Sequence, residues 1–201
     1  TLGGVDERIH TKRHVSYAAM VNNGRLGWYS VNLRNVYLKP SSSATPSIPT
    51  NLIPINVNMT YLMGPSASAI LDSGTTDTYL PSSALRPFMA AVKKVSGLDF
   101  KPKNWKLTPE QLAQLPTLIF RLQAAGAVGA AAAADAALHF DPQNLAMPTY
   151  PAGSIIGIQV PVTNYMDNVG DGLYDVRIGF TEERGAVVLG SNFMTGYNVI
   201  F

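Results

Sequence analysis

The sequence predicts an all-β fold with one or two short helices, and three observations carry that expectation. Charged residues make up only 14% of the 201-residue chain, well below the roughly 25% of an average soluble domain. Glycine and proline contribute 17 and 14 residues, enough to punctuate the chain with turns. Between those turns the apolar residues fall into about ten short runs, which is strand length and strand spacing. A chain of this size can bury a real core, as one large domain or two small ones.

The elements follow in order. From Gly27 to Leu38, Tyr29, Val31 and Leu33 alternate with Ser30, Asn32 and Arg34, the period of a strand with one wet face. Asn35 allows a turn before Val36, Tyr37 and Leu38, and Trp28 beside Tyr29 reads as strand packing. Lys39 to Thr50, rich in Pro and Ser, reads as an exposed loop. Apolar runs resume at Leu52 to Val57 and Ala67 to Leu71.

The best helix comes next. Ser82 or Ser83 can cap it, Leu85, Phe88, Met89, Val92 and Val95 keep three-four spacing, and Gly97 ends it. A second helix starts at Thr108-Pro109, with Thr as cap and Pro at the first helical position. Its apolar face is Leu112 and Leu115, and Pro116 stops it. Leu118 to Leu122 is a strand. Gln123 to Ala137 is low complexity: alanine favours helix, its two glycines oppose it, and it reads as a surface insertion. Leu138 to Phe140, Ser154 to Val160, Tyr174 to Phe180, Ala186 to Leu189 and Tyr197 to Phe201 read as short strands.

Composition excludes several function classes. A net charge of +2 is too small to imply nucleic acid or an anionic membrane as partner. With no cysteine there is no disulfide, thiolate metal site or Cys nucleophile. The longest low-polarity stretch, Ala124 to Leu138, is interrupted by Asp135 and too weakly apolar to be a transmembrane segment. No signal peptide starts at Thr1, because Asp6, Glu7, Arg8, Lys12 and Arg13 fall where its apolar core belongs. The chain therefore reads as a processed product or as a sequence that begins inside a longer one.

No metal site is expected. His10 and His14 are four apart, but in a highly polar segment they read as solvent-exposed. Asp167, Asp171 and Asp175 share that spacing, yet Gly170 and Gly172 argue against a helix and Val169 breaks the calcium-loop pattern, so they read as a loop. Asn58-Met59-Thr60 is a glycosylation sequon, consistent with the secretory pathway.

The chemistry concentrates in Ala69-Ile70-Leu71-Asp72-Ser73-Gly74-Thr75-Thr76. A carboxylate directly after a buried strand is costly unless donors surround it. Gly74, lacking Cβ, lets backbone N–H groups approach the carboxylate, and Ser73 and Thr75 add hydroxyls that can reach Asp72 or a facing chain. That suits a carboxylate held for acid/base work. The plainer reading is a turn in which the aspartate bonds only its own backbone.

The surrounding chain resembles the C-terminal lobe of pepsin-like aspartic proteases, in order and over almost its whole length. Leu2-Gly3-Gly4-Val5-Asp6 resembles the interlobe junction, and Gly27-Trp28-Tyr29-Ser30-Val31 with Asn35-Val36 the strand pair opening the second lobe. Asp72-Ser73-Gly74-Thr75-Thr76 resembles the second-lobe active-site motif, continued by Thr78-Tyr79-Leu80-Pro81 as in the nepenthesin-like and plasmepsin V-like branches. Leu115 to Phe120 and Leu138 to Pro142 resemble the family's Leu-Pro-Thr strand and the strand after it. Val187-Val188-Leu189-Gly190 with Phe193 and Gly196 to Phe201 resembles the closing hydrophobic-Gly segment and final strands. The resemblance divides the chain into an interlobe junction at 1–26 and a lobe at 27–201, with 123–137 as insertion.

The resemblance implies an aspartic endopeptidase that needs no cofactor. Asp72 is then the second-lobe catalytic aspartate. Ser73 supplies a hydroxyl crossing to the other lobe, Thr75 one that bonds the aspartate's outer oxygen, and Gly74 and Thr76 contact substrate backbone. Gly190 belongs to a segment packed behind the active-site loop. The implied partners are a peptide or protein substrate and an N-terminal lobe carrying the other aspartate, since no Asp-Thr-Gly and no flap tyrosine precede Asp72. The implied location is the secretory pathway, vacuole or lysosome, or the exterior. The family's usual disulfide in this lobe is missing. A catalytically inactive lobe serving as inhibitor, binding or assembly subunit is the second reading. A homodimer pairing two copies of Asp72 is a third, opposed by the chain's length and its interlobe-like start.

Overall fold

The computed structural model describes residues 18–20, 28–41, 53–55, 69–124, 154–181, 187–197 and 199. The expected strand at 138–140, the three histidines, the sequon at 58–60 and the alanine-rich stretch from 125 onward lie outside them. The described residues are mostly strand, arranged in three sheets, and the fold is all-β with few, short helices.

The first half carries β1 (Ser30–Val31), β2 (Leu33–Lys39), β3 (Ile53–Pro54), β4 (Ala69–Leu71) and β5 (Thr78–Pro81). After a 3-10 turn at Ser82–Ala84 come α1 (Leu85–Ser96), β6 (Trp105–Lys106), α2 (Pro109–Gln114) and β7 (Thr117–Gln123). The second half carries β8 (Ile155–Val160), α3 (Val162–Tyr165), β9 (Met166–Gly170) and β10 (Leu173–Val176). It closes with β11 (Ile178–Thr181), β12 (Val187–Leu189) and α4 (Ser191–Met194).

The sheet that matters for the site has five strands in the order β1-β4-β12-β5-β11. β12 runs between β4 and β5, parallel to the first and antiparallel to the second. Two strands consecutive in sequence are therefore held apart by a third from more than a hundred residues later. The segment 72–77 that connects them must loop around the end of β12.

A four-stranded sheet, β3-β2-β7-β8, is antiparallel throughout. Along β2 the alternation is not continuous: Leu33 is buried, and so are Val36 and Leu38, with a register shift at Arg34, between Leu33 and Asn35. Just past that shift the Asn35 side chain accepts from the Val36 N–H. What the sequence suggested as a turn is a bulge, which adds one residue and returns the apolar side chains to the core. Trp28 and Tyr29 are about half exposed. Residues 18 and 20 bridge to Ala124 and Val31.

A three-stranded sheet, β6-β10-β9, contains the hairpin at Asp171-Gly172. Both turn residues have positive φ, 52° and 71°, the conformation that two-residue hairpins need and that Asp and Gly tolerate. The three aspartates expected in a loop thus lie on the hairpin: Asp167 and Asp175 face each other across β9 and β10, and Asp171 is at the tip.

α1 buries Phe88, Ala91 and Val92. Met89, expected on that face, is 39% exposed. The helix is capped by Ala84 rather than a serine and closed by Gly97 in the left-handed region, whose N–H donates to the Lys93 carbonyl. Phe88 joins an edge-to-face aromatic cluster with Phe100 and Phe180, and Trp105 stacks edge-on to Phe100. α2 has the full reciprocal box at its start: the Gln111 N–H donates to the Thr108 hydroxyl at 3.2 Å and the Thr108 N–H to the Gln111 side chain at 2.9 Å. α3 and α4 are single turns.

Candidate functional site

Asp72 follows directly on β4. Its N–H donates to the Leu189 carbonyl of β12 at 3.1 Å, extending the sheet by one bond. The Leu71 N–H donates to the Tyr29 carbonyl on the other side at 2.8 Å. The backbone at Leu71–Asp72 is thus gripped from both sides while the aspartate side chain is half-buried.

The carboxylate is satisfied from its own loop. The Gly74 N–H donates to Oδ1 at 2.9 Å and the Thr75 hydroxyl donates to Oδ2 at 2.6 Å. Hydrogen bonds to the charged form favour it. The Thr75 hydroxyl, then the Gly74 N–H, hold the Asp72 carboxyl below the ordinary aspartate value of 3.8, against a smaller opposing push from burial.

Gly74 is not in the left-handed region. Its lack of a side chain matters for room, because a Cβ there would sit 3.2 Å from Asp72 Oδ1. Ser73 is exposed and makes no hydrogen bond among the described residues. Thr76 is exposed at its side chain but anchored at its carbonyl. The structure therefore brings Asp72, Gly74 and Thr75 into one bonded unit, with Ser73 and Thr76 at its surface.

Behind this unit lies a clamp of residues that sequence reasoning missed. The Ser191 N–H donates to the Thr75 carbonyl at 2.7 Å and the Asn192 N–H to the Thr76 carbonyl at 3.1 Å. The Ser191 hydroxyl adds a bond to the Thr76 carbonyl at 3.2 Å. Arg177 pairs with Asp77, Nε to Oδ1 at 3.0 Å, and its Nη2 reaches the Thr76 carbonyl at 3.1 Å. Asn192 is buried, accepts from the equally buried Thr78 hydroxyl at 2.8 Å and donates to the Arg177 carbonyl at 2.8 Å.

Gly190 lets the two parts meet. A Cβ at this position would lie 2.3 Å from the Asp77 carbonyl oxygen and 2.7 Å from that of Thr75, distances no side chain survives without movement of backbone. Of the clamp, only Gly190 was marked in the sequence, where the resemblance implies a segment packed behind the loop; the structure places it there. Arg177 and Asp77 are a hundred positions apart, and nothing in either neighbourhood marks the pair.

Among the described residues no group of three His, Asp or Glu side chains is placed to hold a metal ion, and no helix is long and apolar enough to cross a membrane. No family model matches the chain, and no curated protein matches it.

Proposed function

We propose that this chain is one lobe of a pepsin-like aspartic endopeptidase, with Asp72 as one of its two catalytic aspartates. The observation that carries the reading is the Asp72 carboxylate itself. It ends a sheet strand, stays half-exposed, and has one donor from its own loop on each oxygen. One acceptor position on each oxygen remains for a water or a facing group.

The chemistry follows from pairing. Two carboxylates about 3 Å apart cannot both ionise easily and share a proton. The ionised member takes a proton from water as it attacks the peptide carbonyl, and the protonated member polarises that carbonyl. The pair titrates as a unit. Donors that favour the charged form of Asp72 suit the ionised role. The second aspartate comes from an N-terminal lobe, the partner this reading requires. Ser73, exposed, supplies the hydroxyl towards that lobe, Thr75 holds the outer oxygen, and Gly74 and Thr76 line the substrate backbone. An acidic compartment of the secretory route, or the exterior, suits such a pair.

The test is peptide hydrolysis by the full-length protein at acid pH, with and without pepstatin. Cleavage that pepstatin blocks and Asp72→Ala abolishes is expected. No acid-dependent cleavage, with Asp72→Ala indistinguishable from wild type, would favour the inactive binding or assembly lobe instead.

A further inference from the structure

The clamp behind the loop is more elaborate than a turn requires, and three of its bonds converge on one atom. The Thr76 carbonyl oxygen receives three donors: the Asn192 N–H, the Ser191 hydroxyl and Arg177 Nη2. A carbonyl has two lone pairs, so this is the most heavily tied point of the loop, one residue beyond the hydroxyl that holds Asp72 Oδ2. Arg177 also reaches the next residue, Asp77, through Nε. A planar guanidinium can hold a carbonyl and a carboxylate at once in fixed relative positions, which a lysine cannot.

The arginine is itself located from three sides. Its N–H donates to the Tyr165 carbonyl at 2.8 Å, and its carbonyl receives both the Thr78 N–H at 3.2 Å and the Asn192 side chain. Tyr165 is buried and its hydroxyl donates to the Pro116 carbonyl at 2.5 Å. A continuous chain of bonds therefore runs from the core to the loop that carries Asp72.

We propose that Arg177, with its ion-pair partner Asp77 and the Asn192 amide, is the positioning device of Asp72, fixing the Thr75–Asp77 arm so that the Thr75 hydroxyl stays on the carboxylate. The three residues touch neither Asp72 nor a reacting atom; they act through Thr75 and Thr76. For its catalytic consequence this rests on the reading of Asp72 as a protease aspartate. A displacement of about 1 Å in a positioned group can cost roughly 10²-fold in rate, so the device has room to matter.

The test separates the two claims. In the 201-residue chain, the amide signals of Gly74 and Thr75 are followed by NMR as pH is lowered through the Asp72 titration, for wild type and Arg177→Met. Wild type is expected to show a Gly74 amide that shifts with the Asp72 carboxyl. Arg177→Met is expected to weaken that coupling and raise its midpoint towards 3.8, with the amides of β2 and β7 unmoved. Arg177→Lys, which keeps the charge but not the fork, is expected to restore part of the effect, and Asp77→Asn to weaken it less than Arg177→Met does. In the full-length protein, Arg177→Met is expected to lower kcat with KM little changed.

A Gly74 titration identical in wild type and in a folded Arg177→Met would overturn the proposal. So would loss of the fold in all three variants, since the pair would then serve stability alone. If the full-length protein cleaves no peptide, the protease reading fails while the NMR comparison still decides the positioning role.

Discussion

Two short segments of this molecule make the same local bond and differ in everything around it. At Asp72-Ser73-Gly74 the Gly74 N–H donates to the Asp72 side chain at 2.9 Å. At Asn168-Val169-Gly170 the Gly170 N–H donates to the Asn168 side chain, also at 2.9 Å. The second is a hairpin shoulder, leading to a tip whose positive φ angles set the turn. The first carries a further hydroxyl on its other oxygen and rests against Gly190, Ser191, Asn192 and Arg177. A side chain that bonds its own backbone two residues on is ordinary turn chemistry. What sets the Asp72 loop apart is the distant segment built to hold it.

The largest expected effect tests that contrast directly. Asp72→Asn keeps an acceptor for the Gly74 N–H but removes the titrating group, so peptide hydrolysis by the full-length protein should fall by roughly 10²–10⁴-fold, the range of a lost acid/base group. Asn168→Ala, which breaks the equivalent bond in the other segment, should leave the rate unchanged. Equal losses in both would break the comparison.

Next in size is Gly190→Ala. Its Cβ would collide with the carbonyls of Asp77 and Thr75, and forced overpacking of this kind costs about 1–3 kcal/mol. Gly97→Ala meets nothing within 4 Å and bears only the strain of φ 74°, roughly 1 kcal/mol. Thermal melts of the two variants should rank Gly190→Ala below Gly97→Ala. The reverse order would mean that β12 and the loop are not in close contact.

A smaller, signed effect comes from Thr75→Val. The Thr75 hydroxyl is the main cause that lowers the Asp72 carboxyl, so its loss should move the Asp72 titration upward. A carboxyl lowered by folding adds stability that is present above its unfolded value and is lost as pH falls through the folded value. Thr75→Val should therefore flatten the pH dependence of stability below about pH 4, read by denaturant melts across that window. The smallest effect is expected from Thr108→Ala, which removes the cap of α2. It should cost about 1 kcal/mol, a fall of roughly 2–4 °C in Tm for a chain of this size. The Asp72 titration should not move.

The same contrast explains what was legible in the sequence. Features fixed by neighbours could be read: the Thr108 cap and Pro109 that start α2, the glycine that closes α1, the Gly74 and Thr75 donors within three residues of Asp72. The apolar face of α1 was read with one error, because three-four spacing admits Met89 while the core takes the smaller Ala91. α3 and α4 could not be read, since four residues carry no period and their backbones are held by other segments. The register shift just before Asn35 was visible only as a break, because a turn and a bulge both need one extra residue there. The clamp was the least legible part. Its partners are 100 to 116 positions apart in sequence, and only the sheet order, with β12 between β4 and β5, brings them together.

A catalytic Asp72 is tested most sharply by titrating its carboxyl with carbon-detected NMR in the full-length protein, with and without pepstatin. A shared proton predicts two inflections in the Asp72 signal, displaced when pepstatin binds. A single inflection below 3.8, unmoved by pepstatin, would show a lone surface carboxylate and contradict the catalytic reading.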